Sequence, residues 1–310
     1  MIARLLCLPA LLIALPAPAQ DMRLAWSDEF DQPAIDPAKW SFDVDCWGGG
    51  NDERQCYTDS QQNARIVDGR LVITALRQRA TGPALPSTHP EKAADPDAKA
   101  TRSFTSARLT TRGKAAWRYG RIEVRARLPQ GQGTWPAIWM LPEGSTYGGW
   151  AASGEIDILE AVNLGVPCAI CPGGKENTIL GTLHFGGMWP KNAHKGDETP
   201  APEALEGFHT YSIDWEPERM VWRIDGRIFA ERTVGDWWSA GSASPGAPFD
   251  QPFYLIVNLA IGGKLAETRG IGGVSARDFP KRLEIDWVRV WQKVDDPARP
   301  KHGTVNQGSK

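Results

Sequence analysis

Three acidic residues, Glu155, Asp157 and Glu160, stand within six positions of an otherwise apolar, β-branched segment. In a β-strand the side chains alternate between two faces, so Glu155 and Asp157 point the same way and Glu160 points the opposite way. A β-bulge at Ile158–Leu159 would re-aim Glu160 and bring the three carboxyl groups into one cleft. Two carboxyl groups about 5–5.5 Å apart are what a retaining glycosidase uses, one as nucleophile and one as acid/base.

The same three residues have a second interpretation, in which they lie on the solvent face of a strand and do no chemistry. If they share a cleft, however, they cannot all ionise freely, because like charges at short range raise the pKa of at least one of them. A carboxylic acid with a raised pKa is a suitable proton donor. The spacing is therefore compatible with both roles, and the rest of the chain has to distinguish them.

The chain around the acids is rich in strand signals and has no long stretch of helical periodicity. Ile122, Val124, Ala126 and Leu128 alternate with charged residues, as in a half-buried strand. Asp-Gly pairs at 68–69 and 225–226 follow or separate apolar runs, which favours hairpins. Further strands are expected near 70–76, 178–186, 208–215, 220–224, 252–261 and 283–291, and loops at 78–102, 164–177 and 187–204. This pattern predicts an all-β sandwich or jelly roll.

Composition limits the class of protein and of partner. The chain has 310 residues and a formal net charge of −2, so it offers no basic footprint for nucleic acid. Its 14 tryptophans are unusual. A flat indole ring stacks on the apolar face of a sugar, so this excess favours a carbohydrate partner. The length fits one large all-β domain, which we place at residues 20–293.

The N-terminal segment is typical of a secretory signal peptide. Arg4 precedes a short apolar run, and Ala17-Pro18-Ala19 forms a small-residue cleavage site, which predicts removal of residues 1–19. The apolar run is too short and too interrupted by proline to span a membrane. We therefore expect a secreted or periplasmic protein, with cleavage after Ala19 and a polar, disordered tail at 294–310.

Four cysteines lie beyond the predicted signal peptide: Cys46, Cys56, Cys168 and Cys171. An even number in an exported chain predicts two disulfide bonds, for which three connectivities are possible. We favour the local connectivity, Cys46–Cys56 with Cys168–Cys171. A zinc site at Cys168 and Cys171 is the alternative, and the wide spacing of the other pair argues against it.

Several segments of the chain occur in a specific order. They are WSDEF (26–30), GGGNDERQCYT (48–58), YGRIEVRARLPQGQGTWPAIWMLP (119–142), GEIDILE (154–160), GTLHF (181–185), FDQPFYLIVNLAIGG (249–263) and LEIDWVRVW (283–291). Together they resemble glycoside hydrolase family 16, and specifically its laminarinase-like bacterial endo-β-1,3-glucanases, over nearly all of residues 24–292. The resemblance implies a β-jelly-roll of two antiparallel sheets, a substrate cleft on the concave face, and hydrolysis with retention.

The resemblance also implies roles for individual residues. Glu155 would be the nucleophile, Glu160 the general acid/base, and Asp157 the residue that hydrogen-bonds to both and tunes them. The long, bulged spacing resembles the laminarinase branch, since lichenases and xyloglucan-active members usually have a shorter one. Implied substrate contacts are Asn51, Arg108, Trp135, Trp139, Trp150, His184 and Asn258. The alternatives are core packing for the tryptophans, a structural role for His184 and capping of a glycine-rich loop by Asn51.

A structural calcium ion on the convex face is a further implication of the resemblance. The matching ligands are Glu29, the backbone carbonyl of Gly69 and Asp286. Oxygen ligands from distant segments suit Ca²⁺, and the ion would hold the ends of the chain together. The alternative is that Glu29 and Asp286 are ordinary surface acids. No cofactor is expected for catalysis itself.

The leading hypothesis is a secreted endo-β-1,3-glucanase that is a monomer and acts on a β-glucan polysaccharide, without nucleic acid or membrane as partner. A hydrolase of the same fold that acts on mixed-linkage glucan, agarose or carrageenan is the first alternative. A non-catalytic β-glucan-binding module is the second, although such relatives have typically lost the acids that this chain retains. The segment 164–177 departs from the family pattern and would reshape one end of the cleft.

Overall fold

The computed structural model describes residues 22–270 and 272–294, and these residues form β-strands connected by loops and short turns. The predicted signal peptide with its cleavage site, and the predicted tail apart from Val294, lie outside the described residues. Within the described ranges, no helix is long and apolar enough to cross a membrane.

Strands occur along the whole length of the described chain. In chain order, the first ten are β1 (Met22–Asp28), β2 (Ser41–Phe42), β3 (Gln55–Tyr57), β4 (Ala64–Val67), β5 (Arg70–Ala75), β6 (Ala80–Pro83), β7 (Lys99–Arg102), β8 (Phe104–Ser106), β9 (Arg108–Thr110) and β10 (Gly120–Arg127). They are followed by β11 (Thr134–Pro142), β12 (Glu155–Glu160), β13 (Thr178–Gly186), β14 (Asn192–Pro200), β15 (His209–Trp215), β16 (Arg219–Ile224), β17 (Arg227–Thr233), β18 (Phe253–Ile261) and β19 (Lys281–Lys293). A short helix, α1 (Lys264–Thr268), and 3-10 turns at Pro90–Ala93, Pro172–Gly174, Pro202–Leu205 and Val234–Asp236 complete the described elements.

Two antiparallel sheets form a jelly-roll sandwich, as predicted. The first sheet has the order β17-β16-β15-β10-β19-β5-β4, with β1 paired to β19. The second has the order β14-β13-β12-β11-β18-β9-β2, in which the strand of the three acids, β12, has a neighbour on each side. Strands that are far apart in the chain lie side by side in both sheets, which is the pattern expected of a sandwich rather than of a simple meander.

The core lies between the two sheets and follows the period-two pattern of the sequence. On β10, Ile122, Val124 and Ala126 are fully buried, whereas the intervening Glu123 and Arg125 reach solvent. Each large apolar side chain buried in this way stabilises the fold by about 1.5–3 kcal/mol. Strand β18 is buried along its whole length, because one face packs on the core and the other forms the floor of a cleft.

Two of the three expected loops contain strands. Within 78–102 the chain forms the hairpin β6–β7, and within 187–204 it forms β14, which pairs with β13 along nine residues. The prediction of loops was wrong there because both segments lie at edges and carry few apolar residues. An edge strand exposed to solvent needs no alternation of apolar and polar side chains. The segment 164–177 is a loop with one 3-10 turn, as expected.

Both predicted disulfide bonds are present: Cys46 is joined to Cys56, and Cys168 to Cys171. The first bond closes the loop that contains Asn51 and lies next to the hairpin β6–β7, where the Cys56 sulfur is 3.5 Å from the carbonyl oxygen of Ala80. Since Cys168 and Cys171 are bonded to each other, they offer no thiolate pair for the alternative zinc site.

Candidate active site

The site is built on a β-bulge in β12. Asp157 pairs with Trp139 and Leu159 pairs with Ile138 on the neighbouring strand β11, so Ile158 is the additional residue of β12. The predicted bulge is therefore present at its predicted position. Its consequence is that Glu155, Asp157 and Glu160 line one pocket, while the apolar residues between them are buried in the core.

Indole groups hold the two outer carboxylates of this pocket. Trp150 donates its Nε1–H to Glu155 Oε2 at 2.7 Å, and Trp135 donates its Nε1–H to Glu160 Oε1 at 2.9 Å. Burial raises the pKa of Glu160, and the hydrogen bond from Trp135 opposes that rise only in part. The surroundings of Glu160 thus suit a proton donor.

The buried Asp157 and the half-buried His184 form an acid–base pair next to Glu155. His184 Nε2 lies 3.2 Å from Asp157 Oδ2 and 3.7 Å from Glu155 Oε1. Burial raises the pKa of Asp157, and the charges of Glu155 and Glu160 raise it further. Burial alone would lower the pKa of His184, but the hydrogen bond to Asp157 and the neighbouring carboxylates raise it to about 10. A positive His184 therefore compensates part of the negative charge that the three acids concentrate in the pocket.

The opposite wall of the pocket is a chain of hydrogen bonds that begins at Trp139. Its Nε1–H donates to Asn258 Oδ1 at 2.6 Å, and the Asn258 amide donates to the Tyr57 hydroxyl at 3.0 Å. The Tyr57 hydroxyl in turn donates to Glu53 Oε2 at 3.2 Å. Arg108 covers this wall, with its guanidinium group 4.6 Å from the centre of the Tyr57 ring. The result is a rigid polar surface suited to the hydroxyl groups of a sugar.

The residues and their arrangement agree with the comparisons with known proteins. The model of Glycosyl hydrolases family 16 matches residues 51–289. The chain belongs to this family. Family 16 membership and the intact acids make the protein a glycoside hydrolase.

Relatives at high identity include two bacterial glucanases. The chain is 40% identical over 291 residues to a beta-glucanase of Rhodothermus marinus, covering 89% of this chain and 87% of that protein. It is 38% identical over 284 residues to glucan endo-1,3-beta-glucosidase A1 of Niallia circulans, covering 88% of this chain but only 38% of that longer protein. The X-ray structure of the laminarinase from Rhodothermus marinus superposes with a TM-score of 0.71 at 39% identity, covering 89% of this chain and 99% of that one.

The structure brings all the sequence-predicted catalytic and substrate-contact residues to the same cleft. Asn51, Arg108, Trp135, Trp139 and Asn258 line the pocket with the three acids, whereas Trp150 and His184 reach it through Glu155 and Asp157. Trp135 also packs with Val162, Ala260 and Ala266 in a small apolar cluster. It therefore lines the pocket and contributes to the packing of the fold.

Glu53 and Tyr57 are residues of the site that sequence reasoning missed. Glu53 is buried, lines the pocket and accepts hydrogen bonds from Gln55 and Tyr57. Gly49 folds directly over its carboxylate: a Cβ at Gly49 would lie 2.2 Å from Glu53 Oε1, and its φ of +62° also favours glycine. The signal was present in the GGGNDERQCYT segment, where an acid follows a glycine run, but only the fold shows that it turns inward.

The predicted calcium ligands do not form an open oxygen cage. The Glu29 carboxylate accepts two hydrogen bonds from the Arg289 guanidinium group, at 3.0 and 2.8 Å, and Asp286 is paired with Arg125. Gly69 lies in the turn between β4 and β5 with a φ of +71°. A calcium ion would have to compete with these guanidinium groups for the carboxylate oxygens, and the calcium site stays a prediction.

Proposed function

We propose that the protein is an exported, retaining endo-β-1,3-glucanase. The observation that carries the proposal is the bulged strand β12, which presents Glu155 and Glu160 to one pocket with a buried acid between them. The names of the Rhodothermus marinus and Niallia circulans relatives support β-glucan, and β-1,3-glucan in particular, as the substrate.

Hydrolysis takes place in two displacements. In the first, the Glu155 carboxylate attacks the anomeric carbon while Glu160 gives its proton to the departing glycosidic oxygen. In the second, Glu160 accepts a proton from a water molecule, which attacks the same carbon and releases Glu155. Two inversions leave the anomeric configuration unchanged.

The neighbouring groups suit these roles. Burial keeps the proton on Glu160 at higher pH than in water, as a general acid requires. The Trp150 indole N–H fixes the orientation of Glu155. His184 Nε2 lies 3.2 Å from Asp157 Oδ2 and 3.7 Å from Glu155 Oε1, so its positive charge balances part of the negative charge next to the nucleophile.

Export is supported by the two disulfide bonds, since such bonds persist in oxidising compartments. Together with the predicted signal peptide, they favour a periplasmic or extracellular location. Mass spectrometry of the mature N-terminus, which we expect to begin at Gln20, tests this part of the proposal.

Product analysis on laminarin, lichenan, cellulose, agarose and κ-carrageenan side by side tests the function. We expect endo-cleavage of laminarin, weaker action on mixed-linkage glucan and none on cellulose. Proton NMR of the first products should show the β-anomer before mutarotation. Cleavage of a galactan with laminarin left intact would disprove the substrate, and the α-anomer as first product would disprove retention.

A further inference from the structure

Four large uncharged side chains lie exposed at one end of the cleft, and only the first of them, Trp150, has a role in the proposed chemistry. They are Trp150, Met188, Trp189 and Trp238, which are 40%, 58%, 73% and 51% exposed. Burying side chains of this size normally stabilises a protein, so leaving several of them in water at one place indicates a binding surface.

These four residues come from three loops that meet. The backbone N–H of Trp189 donates to the carbonyl oxygen of Trp150 at 2.9 Å, which ties the β13–β14 hairpin to the loop before β12. A Cβ added to Gly149 would lie 3.4 Å from the Met188 sulfur. The backbone N–H of Gly186 donates to the carbonyl oxygen of Trp238 at 3.0 Å, which brings in the third loop. We call these four side chains the aromatic platform.

The aromatic platform is continuous with the catalytic pocket. Trp150 belongs to both, since its indole N–H bonds to Glu155 while its ring centre lies 5.6 Å from that of His184. Beyond His184 the surface continues to His194 on the edge strand β14. The polar wall with Asn258 lies on the other side of the acids, since β18 and β13 flank β11 and β12 on opposite sides.

We propose that the aromatic platform binds the sugar rings of the polysaccharide that extend past the nucleophile, by stacking on Trp189 and Trp238. The ligand is a neutral glycan chain, because the platform side chains carry no charge and indole rings match the apolar faces of pyranoses. The proposal rests on the proposed function, since the same chain must also cross the catalytic pocket. It predicts that this enzyme prefers long substrates.

Kinetics on β-1,3-gluco-oligosaccharides of increasing length test the proposal. For Trp189→Ala and Trp238→Ala we expect the ratio of kcat/KM between long and short substrates to fall about tenfold, and Trp189→Phe should restore most of it. Ile228→Ala is the matched control, because Ile228 is similarly exposed but lies on β17 of the other sheet. An unchanged ratio, or an equal loss at all lengths, overturns the proposal.

Two further results separate this proposal from its alternatives. If the wild-type protein is a dimer in light scattering and Trp189→Ala is a monomer, the platform is a contact between copies and the proposal is wrong. If wild-type protein cuts no β-1,3-glucan, the proposed function fails, and the platform is judged by affinity electrophoresis in the other polysaccharides. If such a polysaccharide retards Trp189→Ala less than wild type, the result supports glycan binding by the platform. If both proteins migrate equally in all of them, the proposal is overturned.

Discussion

The indole N–H of Trp135 donates a 2.9 Å hydrogen bond to Oε1 of Glu160. Burial raises the pKa of Glu160, and this hydrogen bond opposes the rise because it stabilises the ionised carboxylate. Trp135 lies on β11, next to the strand that carries Glu160. The packing of a neighbouring strand therefore influences the pH at which the proposed acid/base loses its proton.

Replacing Trp135 with Phe keeps an aromatic ring and removes the hydrogen bond. The pKa of Glu160 should rise further, because its ionised form loses a donor. Deprotonation of the general acid sets the alkaline limb of the profile of kcat/KM against pH, so this limb should move to higher pH. Trp287→Phe on β19 is the control. An unchanged limb, or a shift to lower pH, would contradict the assigned role of Glu160.

Glu155→Ala should abolish hydrolysis while leaving the fold intact. Loss of a covalent catalyst costs several powers of ten in rate, each about 1.4 kcal/mol of barrier. Azide should restore cleavage of an activated glycoside and yield a product of inverted configuration, because it attacks from the vacated side. Glu218→Ala, at an exposed glutamate, serves as control. More than about a tenth of wild-type activity in Glu155→Ala would rule out the nucleophile.

His184 should make the stability of the protein depend on pH. Its pKa is about 10 in the folded protein against an ordinary value of 6.5, so its contribution is fully present below about pH 6.5 and is lost as the pH rises through about 10. The difference in melting temperature between wild type and His184→Gln should follow this course. His89→Gln, at a histidine outside the catalytic pocket, is the control. If the difference in melting temperature grows as the pH rises above 7, the predicted stabilisation by charged His184 is wrong.

The two disulfide bonds should contribute unequally to stability. Cys46 and Cys56 are 10 positions apart and Cys168 and Cys171 only 3, and closing a longer loop removes more entropy from the unfolded chain. Replacing Cys46 and Cys56 with Ala should lower the free energy of unfolding by about 2–3 kcal/mol, and replacing the other pair by less. Denaturant unfolding of both double variants measures this. Free thiols at Cys46 and Cys56 in non-reducing peptide maps would exclude the first bond.

Much of the catalytic centre was predictable because its information is local. The period of two places Glu155 and Asp157 on one face of any strand, and Glu160 on the wrong face unless the strand is bulged. Ile156 and Leu159 are both buried although they are three positions apart. A bulge between them lets both side chains face the core while Glu155 and Glu160 face the cleft. The short disulfide loops were predictable for the same reason, since their partners are close in sequence.

Contacts between distant segments were decided only by the tertiary structure. Trp139 and Asn258 are 119 positions apart and become hydrogen-bond partners through the pairing of β11 with β18. Asn258 and Tyr57 are 201 positions apart, and their hydrogen bond joins β18 to β3, which belongs to a different sheet. Nothing in the local pattern places Trp189 beside Trp150, because that contact depends on how two loops meet across β12 and β13. The sequence by itself determined the class of fold, and it predicted which acids share one cleft. The order of strands in the sheets decided which side chains surround those acids, because a residue's neighbours across a sheet depend on pairing and not on position in the chain.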